Sequence, residues 1–88
     1  MTRNEKITQV MGWMYGGHPE CNMSEAKELQ AKMRQDGWNI LIMNTAKNEF
    51  IASAWRDVSV GHMTAVLKTE QQAIFDLFCK VFNIEGEG

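Results

Sequence analysis

Eighty-eight residues, 44% of them hydrophobic, suffice for one domain around one core and are too few for two. Nine basic residues are scattered among eleven acidic ones for a net charge of −2, which speaks against the basic stripe of a duplex nucleic-acid binder. No run approaches the ~18 apolar residues of a membrane span, and the opening Thr2, Arg3, Asn4, Glu5, Lys6 is too polar for a secretion signal, so a cytoplasmic setting with Cys21 and Cys79 as free thiols is expected.

The first predicted element is a helix. Thr2 and Glu5 fit a capping box, Thr2 accepting from the first-turn amides while Glu5 reaches back. Ile7, Val10, Met11 and Met14 then recur at i, i+3, i+4 and i+7, one apolar face. Gly16 and Gly17 are expected to end it, because glycine takes the left-handed conformation favoured at a helix C-terminus. Residues 18–22 continue as loop. A second helix follows, N-capped by Ser24, with Glu25 placed near the positive end of the dipole. Ala26, Leu29, Gln30 and Met33 form its inward stripe, Lys27, Glu28, Lys32 and Arg34 face water, and Gly37 closes it.

Residues 38–43 read as a strand of β-branched and aromatic side chains. Both of its faces are largely apolar, which predicts cover on both sides or a partner on the second. Asn44 to Glu49 has the polar character of a hairpin loop without a diagnostic Asn-Gly. Residues 50–56 form the partner strand, with Phe50, Ala52 and Ala54 on one face and Ile51, Ser53 and Trp55 on the other. Asp57 to Gly61 is a turn or irregular link, and residues 62–67 form a third strand or an extended lead-in. Thr69 and Gln72 make a second capping box, which starts a helix from Glu70 to about Phe82. Residues 1–84 therefore form a single α+β domain, three helices on a small antiparallel sheet of two to three strands in the order α-α-β-β-(β)-α. Residues 85–88 are a frayed tail.

On the wheel of the last helix, Ala73, Ile74, Leu77, Phe78 and Val81 form the usual core stripe, with Gln72, Asp76, Lys80 and Asn83 on the wet side. Phe75, Cys79 and Phe82 widen the apolar arc to about 240°, against the ~100° a surface helix needs. Either this helix lies centrally between sheet and helix, or Phe75, Cys79 and Phe82 leave a patch that a second copy covers.

Chemistry-bearing constellations are sparse. His18 and Cys21 are one close pair that His62 and Cys79 could complete to a zinc site, but structural zinc usually takes two close pairs, and none is expected. A Cys–His nucleophile pair is a matter of geometry that the spacing does not supply. Gly12, Gly16 and Gly17 lack the strand, lysine and hydroxyl of a phosphate loop. Trp38, Trp55 and Arg56 on paired strands could form a stacking surface for a base or a cyclic nucleotide, or pack as ordinary core aromatics. No catalytic residue, metal or cofactor is expected.

Several short motifs resemble one family. Val10-Met11-Gly12-Trp13 looks like the V-M-G-W motif of the phage "ABA sandwich" domain family, small proteins of bacteriophage and prophage genomes. The run from Met33 through Gly37-Trp38, the hairpin from Phe50 to Trp55 and the threonine-capped helix Thr69-Glu70-Gln71-Gln72-Ala73-Ile74 are similar to the rest of the family pattern. The resemblance covers nearly the full chain, yet its motifs are mostly structural. It departs at Phe75, Phe78 and Phe82, where the family's last helix carries small residues. It implies helices flanking a small antiparallel sheet and expression in a host bacterial cytoplasm, and it brings no reaction. The expected function is a non-enzymatic phage accessory module that binds protein, as a homodimer joined through the last helix and the apolar outer face of residues 38–43, and with a host or defence component as a further partner. The alternative is a small-ligand binder for a nucleotide signal that uses Trp38, Trp55 and Arg56.

Overall fold

The computed structural model describes residues 2–14, 16–19, 21–56 and 63–84. Its elements run α1 (Arg3–Met11), α2 (Met23–Gln35), β1 (Asn39–Asn44), β2 (Phe50–Trp55), β3 (Met63–Leu67) and α3 (Glu70–Val81). The strands form an antiparallel meander in the order β1-β2-β3, so the expected α+β class and element order hold, with the third strand present. His62, the link at 57–61 and the tail at 85–88 lie outside the described residues.

All three helices end in the same way. The backbone turns left-handed at Gly12 (φ 71°), Gly37 (φ 91°) and Asn83 (φ 54°), and the next residue donates back into the last turn. Those closing bonds run from Trp13 N to Thr8 O (3.0 Å), Trp38 N to Met33 O (3.1 Å) and Ile84 N to Cys79 O (2.7 Å). This is the Schellman arrangement, in which an apolar residue after the left-handed position folds onto the helix. Trp38 and Ile84 are accordingly buried and Trp13 half-buried. α1 therefore stops at Gly12 and not at Gly16 or Gly17. Met14, assigned to its apolar face, lies beyond the helix and is 99% exposed.

The N-termini follow their caps. Thr2 and Glu5 form the expected capping box. Thr69 Oγ1 accepts from Gln72 N, so Thr69 caps α3 as expected, but through this one bond rather than the reciprocal pair of a capping box. α2 starts two residues before the expected point, because Asn22 is its cap and accepts from Glu25 N at 3.2 Å, while Ser24 lies inside the first turn. The hairpin loop closes through Thr45 N to Glu49 O (2.8 Å). Asn48 takes the left-handed position there (φ 59°), which asparagine tolerates better than most residues.

α3 is the central element, packed on β2, β3 and α2. β2 and β3 meet it with alanines: Ala52, Ala54 and Ala65 are buried, as is Ala73 on the helix. Small residues on the sheet let the helix axis come close, and α3 fills the space with Ile74, Phe75, Leu77 and Phe78, all buried. Ile7, Leu29 and Met33 complete the core from α1 and α2. α1 rests on the helical layer, where Arg3 reaches Asp76 of α3 at 3.7 Å.

Candidate interaction surface

The helices leave one face of the sheet uncovered. Side chains alternate along each strand, and the register places Leu41 opposite Ser53, Met43 opposite Ile51 and Ile51 opposite Val66, all on the face away from α3. Leu41 is 47% exposed, Met43 48%, Trp55 37% and Val66 51%. None of β1, β2 or β3 contains a charged residue. An antiparallel sheet with one solvated face ordinarily turns polar side chains outward. Here the outward row shows roughly 400 Å² of apolar side chain, a size at which surface patches are often functional. The sequence reading of residues 38–43 as apolar on both faces is thus explained by α2 and α3 on the inner side only; the outer side has no cover among the described residues.

The residues assigned to an interface on α3 sit elsewhere. Phe75 is 8% exposed and Cys79 4%, both enclosed by the chain's own sheet and helices, because the alanines of β2 and β3 admit the broad apolar arc. Phe82 is half-buried and its ring lies 4.5 Å from that of Phe78. The wide arc therefore marks a central helix, and two of the three side chains are not available to a second copy.

Trp38, Trp55 and Arg56 do not converge. Trp38 and Arg56 occupy the helix-side face at one end of the β1-β2 ladder, with the guanidinium 4.7 Å from the indole centroid. Trp38 is 5% exposed, so burial and the arginine together leave no ring face for a base to stack on. Trp55 points to the opposite side of the sheet, beside Asn39. The one-residue alternation of a strand separates neighbours 55 and 56, and no single cleft holds all three.

The loop between α1 and α2 is built by a residue whose role the sequence did not show. Glu25 is 8% exposed, and its Oε1 accepts from His18 N at 2.9 Å. Thr8 Oγ1 donates to Asn4 O (2.8 Å) and accepts from Gly17 N (3.3 Å), so the loop is held to both helices. Gly17 lies against the Trp13 ring and the Glu25 carboxylate, where an added Cβ would overlap the ring. The signal for Glu25 was its place three residues after Asn22, the acidic position of a capping box. A groove of about 530 Å³ runs between α1 and this loop, past Glu5, Thr8, Gly17 and His18, and the Thr8 hydroxyl in it is already committed to the loop.

Among the described residues no group of three His, Cys, Asp or Glu could hold a metal ion. Cys21 is exposed, its Sγ 3.5 Å from His18 O, whereas Cys79 is buried in α3. Burial pushes the Cys79 thiol up to about 11, against the opposing charge of Arg3, so it stays protonated at neutral pH. No helix among the described residues is long and apolar enough to cross a membrane. Comparison with family models, with curated proteins and with solved structures finds no match to this chain.

Proposed function

We propose that the chain is a non-enzymatic protein-interaction module that acts as a homodimer, with its contact surface on β1 and the open face of the sheet. The observation that carries this is the apolar character of that face, with Leu41, Met43, Trp55 and Val66 half-exposed and no charge in any strand. An uncharged apolar surface suits a second copy of itself, since a two-fold axis brings like residues of β1 and its outer face together without opposing like charges. The resemblance to phage proteins adds the setting of a phage or prophage accessory protein in a bacterial cytoplasm, with a host or defence protein as a further partner.

Solution mass tests the reading directly. Light scattering after size exclusion at two protein concentrations is expected to give about twice the 10.1 kDa chain at the higher one. Replacing Leu41 and Met43 together by Lys puts charge on two half-exposed positions that the core does not use, and should give a folded 10.1 kDa monomer. A wild-type chain that stays at 10.1 kDa at both concentrations refutes the homodimer.

A further inference from the structure

We infer that two copies join through the β1 edges, antiparallel about a two-fold axis at Ile42, to form one continuous six-stranded sheet. This rests on the homodimer reading and specifies which part of the surface makes the contact.

Among the described residues β1 pairs only with β2, and none of them pairs with the backbone groups of its other edge. Proteins usually blunt such an edge with lysine, proline, a bulge or a very short strand. β1 has none of these. It is six residues, Asn39-Ile40-Leu41-Ile42-Met43-Asn44, and pairs with β2 without interruption from Asn39↔Trp55 to Asn44↔Phe50. Its side chains also remain partly open on both faces, as an unfinished strand would. The inner Ile40 and Ile42 are half-buried, although Ala52 and Ala54 beside them on β2 are fully buried.

The ladder fixes which groups point outward. Thr45 N bonds Glu49 O across the hairpin, in the same register as the strands. Backbone bonds alternate along an antiparallel strand, so Met43, Leu41 and Asn39 face β2, while Asn44, Ile42 and Ile40 direct N–H and C=O to the free edge. A two-fold at Ile42 then sets Ile42 against Ile42 and Ile40 against Asn44 of the second copy. All three outward residues are satisfied on each side, with about six bonds in all. Leu41 falls opposite Met43 on the outer face. An axis at Leu41 would pair Ile40 with Ile42 and carry Asn44 to Trp38, whose N–H is already given to Met33 O. The Ile42 axis also keeps both helical layers on one side, and the two outer faces merge into a platform about 29 Å wide and 20 Å long.

One introduced cysteine at a time, on a Cys21→Ser background that keeps the buried Cys79, tests the register. Opposed Ile42 residues would have Cα atoms about 5.5 Å apart, within disulfide range. Ile42→Cys should therefore cross-link to a dimer under mild oxidation, whereas Ser53→Cys, at the centre of the outer face, should not. Hydrogen exchange on the unmodified chain serves as a second readout, free of any folding defect in the variants. The amides of Ile40, Ile42 and Asn44 should exchange at least tenfold more slowly in the dimer than after dilution. A 20 kDa dimer in which Ser53→Cys cross-links and these amides stay fast would overturn the edge pairing and leave the homodimer standing as face-to-face stacking. A 10.1 kDa chain with fast edge amides at every concentration would overturn both.

Discussion

Raising the pH tests whether α3 is truly enclosed. Cys79 is 4% exposed, and burial moves its thiol from the ordinary 9.0 to about 11, Arg3 opposing the shift and Asp76 adding to it. The unfolded chain releases this proton near pH 9, while the folded chain holds it until about pH 11. Between those values the unfolded state binds fewer protons, so folding stability falls as pH rises. The loss attributable to this one thiol is on the order of 1 kcal/mol by pH 10 and about 2 kcal/mol by pH 11, and negligible below pH 8.

The assay is urea unfolding at pH 7.5, 9, 10 and 11, comparing Cys79→Ala with its parent, both carrying Cys21→Ser. The truncation removes a buried sulfur and should cost about 1 kcal/mol at pH 7.5, independently of pH. Lysine and tyrosine titrations are common to both proteins and cancel in the difference. The expected result is that the variant is the less stable at pH 7.5 and the more stable at pH 11. A difference that stays constant across the series would mean that Cys79 titrates alike in both states. The helix face bearing Phe75 and Cys79 would then be open to water, and the proposed self-contact would move there from the sheet.

Local geometry supports further tests, each read from urea or thermal unfolding. Gly37→Ala forces a Cβ into φ 91° and should cost about 1 kcal/mol, whereas Asn83→Gly, at φ 54°, should be neutral or stabilising by a few tenths. Asn22→Ala removes the cap of α2 and should cost about 1 kcal/mol, while Ser24→Ala inside the first turn should change stability by less than about 0.5 kcal/mol. Equal costs at 22 and 24 would contradict the assigned helix start. Gly17→Ala should cost about 1–3 kcal/mol, because the new methyl meets the Trp13 ring and the Glu25 carboxylate. A Gly17→Ala protein of unchanged stability would show that the loop is not wedged between them.

What was legible in the sequence was local. Thr2, Thr69, the hairpin and the apolar arc of α3 each depend on a few neighbouring residues, and each appears where expected. The errors came where two local signals competed. Gly12 and Gly16-Gly17 both offer a left-handed turn, and the choice fell to Gly12 because Trp13 follows it and can fold back on Thr8. The same Gly-Trp pair closes α2 at 37–38, so the repetition was a usable clue. Asn22 and Ser24 both cap well, and Asn22 has Glu25 three residues on. The burial of Glu25 was not legible, since it depends on a loop folding back from residues 16–19. The candidate surface was legible in part, since a partner was expected on the second apolar face of residues 38–43. The apolar faces of residues 38–43 were visible, but which one the helices would cover depends on contacts distant in sequence.

Side-chain volume is divided across the sheet in a way that connects fold and function. Toward α3, the central positions of β2 and β3 are alanines, and the bulk needed to fill the core comes from the helix. Away from α3, the same strands and β1 carry Leu41, Met43, Ile51, Trp55 and Val66. A face destined only for water could carry threonine or lysine at these positions without altering the core behind it. Leaving it apolar invites association, and an uncharged, unblocked β1 beside it offers the backbone groups to direct that association. If lysines at 41 and 43 leave the fold as stable as before while abolishing the dimer, the outer face serves recognition and the alanine face serves folding. If they unfold the chain instead, the two faces are not separable and the outward side chains belong to the core.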